Sequence, residues 1–215
     1  MRKQGWILVL GALLAAAPAV ASGLVVRITD GKGHPVTDAV VTLVPRGTQA
    51  AAPRRTPAVH VIDQKNLMFM PYIEVFRPGD AVVFRNSDRT RHHVYSFSPV
   101  KAFEFVLAPG QSSPPLTLDA TGVVAVGCNI HDQMAAYLVV TDAVSVARTG
   151  TDGNASFGAV APGTYDVRAW HPRLRPGRVA ATTLAVGSSA PAPATLALSL
   201  LPDPRQQMDR ELMQY

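Results

Sequence analysis

The chain has 215 residues, of which 20 are Lys or Arg and 15 are Asp or Glu, so its formal net charge is +5. A surplus this small does not indicate a nucleic-acid-binding protein. The single cysteine excludes an intramolecular disulfide, and the length suits one large domain or two small ones.

Residues 1–21 have the pattern of a secretory signal peptide, with a basic start at Arg2 and Lys3, an apolar run over 6–17 and small residues before Ser22. The apolar run is too short to span a bilayer, and no second long apolar run follows it. We therefore predict an exported, periplasmic protein without a membrane span in its mature form. Without those two cations the 20 basic residues fall to 18, and the net charge falls to +3.

Short valine-rich segments with alternating apolar residues, separated by glycine and proline turns, predict an all-β protein. Turn chemistry is clear at residues 30–33, 78–80 and 162–164. The predicted strands are 24–29, 39–44, 59–62, 73–77, 81–85, 93–97, 102–107, 123–127, 136–140, 164–170 and 195–200.

Two interruptions divide the chain into larger parts. Residues 46–58 have no apolar periodicity and are typical of a linker, and residues 141–150 form a softer boundary. The predicted organisation is a signal peptide, a first flank, a middle domain, a second flank and a tail, at 1–21, 22–50, 57–142, 143–200 and 201–215.

The two flanks carry complementary parts of one pattern. Residues 24–45 contain D-x-x-G-x-P-V-x-x-A-x-V, and residues 149–172 contain Thr-Asp, a phenylalanine and P-G-x-Y-x-V. They resemble the opening and the later hairpin of a transthyretin-like or carboxypeptidase-regulatory-like β-sandwich, although Ala155 stands where that family has glycine. The resemblance implies a second small β-sandwich into which the middle domain is inserted. The alternative is that both flanks decorate the middle domain separately.

The segment GCNIHDQM, residues 127–134, holds the only cysteine of the chain beside a histidine and a methionine. A free thiol is a liability in an oxidising compartment, although a cysteine considered alone can be a buried, inert residue. Cys128, His131 and Met134 are spaced Cys-x2-His-x2-Met within one turn between two predicted strands. Together with a second histidine, these ligands form the His2Cys plane with a weak axial methionine that suits electron-transfer copper.

The second histidine is expected at the end of an earlier strand, where His92 and His93 are both candidates. Strand alternation places Val94 and Ser96 on the side of His92, and it points His93 to the opposite side. We assign the ligand to His92 and keep His93 as the alternative.

Residues 59–141 resemble a cupredoxin of the amicyanin and plastocyanin kind. The resemblance rests on a Pro-Gly-Asp turn, on the Cys-x2-His-x2-Met spacing, and on Asn86, which precedes His92 by six residues. The wider arrangement is similar to bacterial plastocyanin-like proteins labelled methylamine utilisation protein. Ile130 and Asp132 stand where amicyanin has prolines.

The resemblance implies a cupredoxin Greek-key β-sandwich with one type 1 copper site. In that site His92, Cys128 and His131 would form the copper plane and Met134 would be the axial ligand. Asn86 would pin the ligand loop by hydrogen bonding, and His131 would be the electron exit.

We therefore expect a blue-copper protein that carries single electrons. We do not expect an enzyme, since copper oxidases and nitrite reductases have a second, histidine-rich copper centre in addition to such a site. The expected partner is a redox protein such as a c-type cytochrome or a periplasmic dehydrogenase. Two alternatives stay open: a copper carrier or buffer, and a non-metal binding or adhesion module. Arg85, Arg89 and Arg91 form either a steering patch for an acidic partner or a solvated loop face.

Overall fold

The structure is a computed structural model that describes residues 22–47, 55–131, 133–187 and 193–203. Within these ranges the regular elements are all strands, and none is a helix long and apolar enough to cross a membrane. The predicted all-β class is confirmed, whereas the signal peptide and residues 204–215 lie outside the described ranges. The strands are β1 (Ser22–Asp30), β2 (Val40–Pro45), β3 (Val59–Lys65), β4 (Met68–Met70), β5 (Ile73–Phe76), β6 (Asp80–Asn86), β7 (His92–Ser98), β8 (Lys101–Leu107), β9 (Leu116–Leu118), β10 (Gly122–Cys128), β11 (Ala135–Val140), β12 (Ser145–Arg148), β13 (Asn154–Val160), β14 (Gly163–Trp170), β15 (Ala180–Val186) and β16 (Ala194–Leu198).

Strands β3 to β11 form the middle β-sandwich. One sheet has the order β5-β11-β10-β7-β8, and the facing sheet has the order β4-β3-β6-β9. The pairs β3–β6 and β5–β11 are parallel, and the other neighbours are antiparallel. Buried side chains from both sheets, among them Ile62, Phe84, Val94 and Leu138, form one core. This is the Greek-key β-sandwich predicted for a cupredoxin.

The flanks form a second β-sandwich, whose sheets have the orders β13-β1-β16 and β12-β2-β14-β15. Its core joins Leu24, Val26 and Ile28 of β1 to Val41 of β2 and Val167 of β14. The predicted pairing of the two flanks is confirmed, because β1 pairs with both β13 and β16. The middle sandwich is inserted between β2 and β12, while the individual domain boundaries stay predictions.

Neither of the two flank hairpins predicted from the sequence is formed. β1 and β2 lie in opposite sheets, and so do β13 and β14. The turn after β1 closes on itself, with Asp30 N donating to His34 O at 2.8 Å and Val36 N donating to Ile28 O at 3.0 Å. Asp38, at a φ of 65°, then directs the chain into the other sheet. The connection is therefore an arch between sheets, which has the same turn residues as a hairpin.

Five strands were missing from the predicted set. β4 and β9 have three residues each and β12 has four, which is too short to display alternation. β15 lies at a sheet edge with mostly exposed side chains, so its sequence AATTLAV lacks the apolar period of a strand. β13 was assigned only to the later flank hairpin, and it pairs instead with β1.

The two sandwiches share a small apolar interface. Val40 of β2 packs with Ile73 of β5 and Val139 of β11. The ring centroids of Tyr137 and Trp170 are 5.8 Å apart. The interface covers the outer face of the five-stranded sheet around β5 and β11. The other half of the same face, around β7 and β8, lies outside this cluster.

Candidate metal centre

Three strands meet at one end of the middle sandwich and bring the predicted site residues there. His92 is the first residue of β7 and Cys128 is the last residue of β10, and the two strands are neighbours through the Cys128–Val94 pair. The chain then turns back into β11, with Asn129 N donating to His93 O and Met134 N donating to His131 O, both at 3.0 Å. The turn is short because its two strands are adjacent in the sheet.

His92, Cys128 and His131 converge on one point. Each of them offers a ligand atom, and these atoms lie within 4.8 Å of one another. The Cys128 Sγ is 3.7 Å from His92 Nδ1 and 3.8 Å from His131 Nδ1. His92 lies 36 positions before Cys128, so local sequence spacing does not explain how His92 reaches the turn that holds Cys128 and His131. One thiol and two imidazoles on one point are compatible with a type 1 copper site.

Burial differs across this cluster. His92 and Cys128 are buried, and His131 is only partly buried at the end of the sandwich. The rings of His92 and His131 lie 5.1 Å apart. Met134 is also buried and belongs to the same core as Cys128. The arrangement therefore has a closed side formed by His92 and an accessible side formed by His131.

Asp88 is the residue that sequence reasoning missed. Its Oδ2 lies 2.9 Å from His92 Nε2, and its carboxylate accepts the backbone N–H groups of Asn66 and Leu67 at 2.6 and 3.1 Å. Burial raises the pKa of Asp88, but the contact with His92 and the two amides outweigh burial and hold that pKa below its ordinary value. A carboxylate at Nε2 favours the tautomer that leaves Nδ1 free to bind a metal.

Asn86, the last residue of β6, ties the loop before β7 and the end of β8 to its own sheet, and thus pins the loop that leads to His92 as predicted. Its Nδ2 donates to Thr90 O at 2.8 Å and to Leu107 O at 2.9 Å, and its Oδ1 accepts from Asp88 N at 3.0 Å. The side chain is fully buried. Asn86 therefore holds both the loop that leads to His92 and the residue that contacts His92 Nε2.

His93 points away from the cluster. It is half-buried on the outer face of the sheet, and its Nε2 lies 2.6 Å from Glu104 Oε1 on β8. Val94 and Ser96 are buried on the side of His92, as alternation predicts. The structure thus brings His92, and not His93, to Cys128 and His131.

The three arginines near β7 do not share one role. Arg85 is exposed and bonded to Asp63 through its Nε and Nη2 at 3.2 and 2.8 Å. Arg89 and Arg91 are exposed on the loop before His92. Arg85 belongs to β6 and its guanidinium is occupied by Asp63, so only Arg89 and Arg91 stay candidates for a steering patch.

Comparison with known proteins finds no matching family model and no matching curated protein. Among solved structures, a copper-containing nitrite reductase from Thermus scotoductus SA-01 is 21% identical with a TM-score of 0.36, over 45% of this chain and 25% of that one. A reduced amicyanin variant is 22% identical with a TM-score of 0.37, over 47% of this chain and 98% of that one. An oxidised amicyanin variant is 23% identical with a TM-score of 0.36 over the same shares. Because these TM-scores are below 0.5, the similarities carry no argument about what this chain binds.

Proposed function

We propose that the chain is a type 1 copper protein that carries single electrons, with one copper ion bound by His92, Cys128, His131 and Met134. The observation that carries the proposal is the convergence of the only cysteine and two imidazole Nδ1 atoms at one end of a β-sandwich. Thiolate and imidazole are ligands that copper prefers, and zinc or iron–sulfur sites usually use more cysteines than this chain has.

Bound copper would supply a one-electron couple, and the protein would keep its ligands in place through the redox change. Asp88 orients His92, and Asn86 fixes the loop between them. The side chains of Asp88 and Asn86 are each held by several hydrogen bonds. The His92 side of the site therefore needs little structural change between the two oxidation states. His131 is the partly exposed ligand, and we assign it the electron exit.

The setting that we propose is the periplasm, with a redox protein such as a c-type cytochrome or a periplasmic dehydrogenase as the partner. The support for export is the signal-peptide pattern of residues 1–21. The proposed activity needs no nucleophile or general base, and the described residues contain one candidate metal group only. We therefore propose an electron carrier and not an enzyme.

The proposal is tested by adding one equivalent of Cu(II) to the purified protein and recording its visible spectrum and its voltammogram. An electron carrier gives an intense thiolate-to-copper band and a reversible potential. Binding of Cu(I) alone, followed by rapid transfer to a chelator, would instead show a copper carrier. Absence of copper binding would leave a non-metal module.

We expect His92→Ala to abolish the visible band and His93→Ala to retain it. His92 Nδ1 faces the Cys128 Sγ at 3.7 Å, whereas His93 contacts Glu104 on the outer face. Titration of both variants with Cu(II), followed by absorbance, provides the comparison. Loss of the band in His93→Ala with retention in His92→Ala would contradict the assignment.

We expect Asp88→Asn to weaken copper binding by about 10- to 100-fold, because partners of metal-bound histidines typically have effects of this size. The amide removes the charge that orients His92 through its Nε2. Asp63→Asn is the matched control, since the Asp63 carboxylate contacts Arg85 and Ser87 instead of a proposed ligand. The dissociation constants are compared by competition with a chelator of known affinity. Equal affinities for the two variants would show that Asp88 has no role at the metal.

A further inference from the structure

β8 is an unusual edge strand. It is the outermost strand of the five-stranded sheet, and among the described residues it pairs only with β7. It has seven residues, whereas the other edge strands of this sandwich, β4, β5 and β9, have three or four. A long edge presents a row of backbone groups that can pair with another strand, and proteins usually shorten or protect such edges.

Both faces of β8 are mostly apolar. On the outer face Ala102 and Val106 are exposed, Val106 by 55%, and the neighbouring Phe97 of β7 is 83% exposed. On the inner face Phe103 and Phe105 pack against the core but are only partly buried. An edge with incompletely covered aromatic residues inside and an exposed aromatic residue outside is typical of an association site.

The charges on β8 give this edge little protection. Glu104 is the only charged residue on its outer face, and its carboxylate is held by His93 Nε2 at 2.6 Å. Lys101 stands at the first position of the strand. The pattern KAFEFVL therefore leaves five of its seven positions apolar.

We propose that β8 pairs antiparallel with β8 of a second copy of this chain, about a two-fold axis at Glu104. Opposite residues in an antiparallel pair must lie on the same face of the sheet. Only registers in which odd-numbered residues face odd-numbered ones, and even-numbered residues face even-numbered ones, meet this condition. The register centred on Glu104 overlaps all seven residues. It places Phe103 opposite the partner copy's Phe105 on the inner face, and Ala102 opposite the partner copy's Val106 on the outer face.

A second copy fits this edge better than an unrelated strand. β8 itself offers a mostly apolar strand, with Phe103 and Phe105 on the inner face and Ala102 at the position that comes opposite Val106. The edge of β8 that no described strand pairs with is present in every copy, and two-fold symmetric dimers are the most frequent protein oligomers. The two Glu104 side chains would face each other, and the contact with His93 in each copy reduces this repulsion.

The test is sedimentation velocity of the mature chain over a wide concentration range, with and without copper. We expect the wild-type chain to form dimers in a concentration-dependent way. Val106→Glu should raise the dimer dissociation constant at least tenfold, because it adds a carboxylate beside the two facing Glu104 side chains. Adding Ala102→Lys to Val106→Glu should regain the dimer, because each introduced lysine then faces an introduced glutamate. Val59→Lys, at another exposed valine of this sandwich, is the control and should dimerise like the wild type.

Two results would overturn this proposal: a wild-type chain that is monomeric at every concentration, or a double variant that dimerises no better than Val106→Glu alone. A double variant without recovery is also the result expected if the dimer forms through another surface. A wild-type monomer is also the result expected if this edge pairs with a different protein. Circular dichroism of each variant shows whether it is folded. The copper spectrum reports the proposed electron carrier separately, so the two proposals can fail independently.

Discussion

Cys128→Ser is expected to abolish the visible thiolate-to-copper band completely while the protein stays folded. The sulfur is the only thiol in the chain, and its Sγ faces both imidazole Nδ1 atoms. Serine is close to cysteine in size, and its hydroxyl can bond with the histidines that already line this position. We therefore expect the unfolding temperature of the copper-free protein to change by only a few degrees, in line with a loss of about 1 kcal/mol.

The measurement combines a Cu(II) titration followed by absorbance with thermal unfolding of the copper-free protein. Asn129→Ser is the matched control, because Asn129 is the adjacent, exposed residue of the same turn. It should retain the band. An unchanged band in Cys128→Ser would refute the copper assignment. If the copper-free variant is unfolded, the main role of the thiol is to pack in the hydrophobic core.

Val26→Asp is expected to unfold the flanking sandwich, including strands more than a hundred residues later in the chain. Val26 is fully buried in β1, the central strand of its sheet, where it pairs with Ala155 of β13 and Ala194 of β16. A carboxylate at this position would lie among the apolar side chains of this core, and an uncompensated buried charge costs several kcal/mol. That loss is comparable with the whole stability of a small domain.

Val25→Asp is the control for the preceding substitution, because the Val25 side chain lies on the opposite, partly exposed side of the same strand. Hydrogen exchange should show loss of protection in β13, β14 and β16 for Val26→Asp and nearly normal protection for Val25→Asp. The copper spectrum should survive in both, since the metal cluster belongs to the other core. Full protection of β14 in Val26→Asp would mean that the flanks do not fold as one unit.

Much of the candidate site could be predicted because its information is local. Cys128, His131 and Met134 lie within one turn, so their spacing alone indicates a common target. The choice of His92 over His93 as the ligand follows from the two-residue period of a strand, and in the structure His92 lies beside Cys128 whereas His93 contacts Glu104 on the other face. Asp88 was missed because it belongs to an irregular loop, where no period predicts the direction of a side chain.

The sequence by itself determined the strand-rich class, the residue types of the metal cluster and the side of β7 that faces it. These properties depend on alternation, turn chemistry and short spacing, which act within a few residues. The tertiary structure alone decided that the flank connections are arches, that β1 lies between β13 and β16, and that β8 pairs only with β7 among the described strands. A turn sequence permits either a hairpin or an arch, and the burial of apolar faces between distant strands selects one of them.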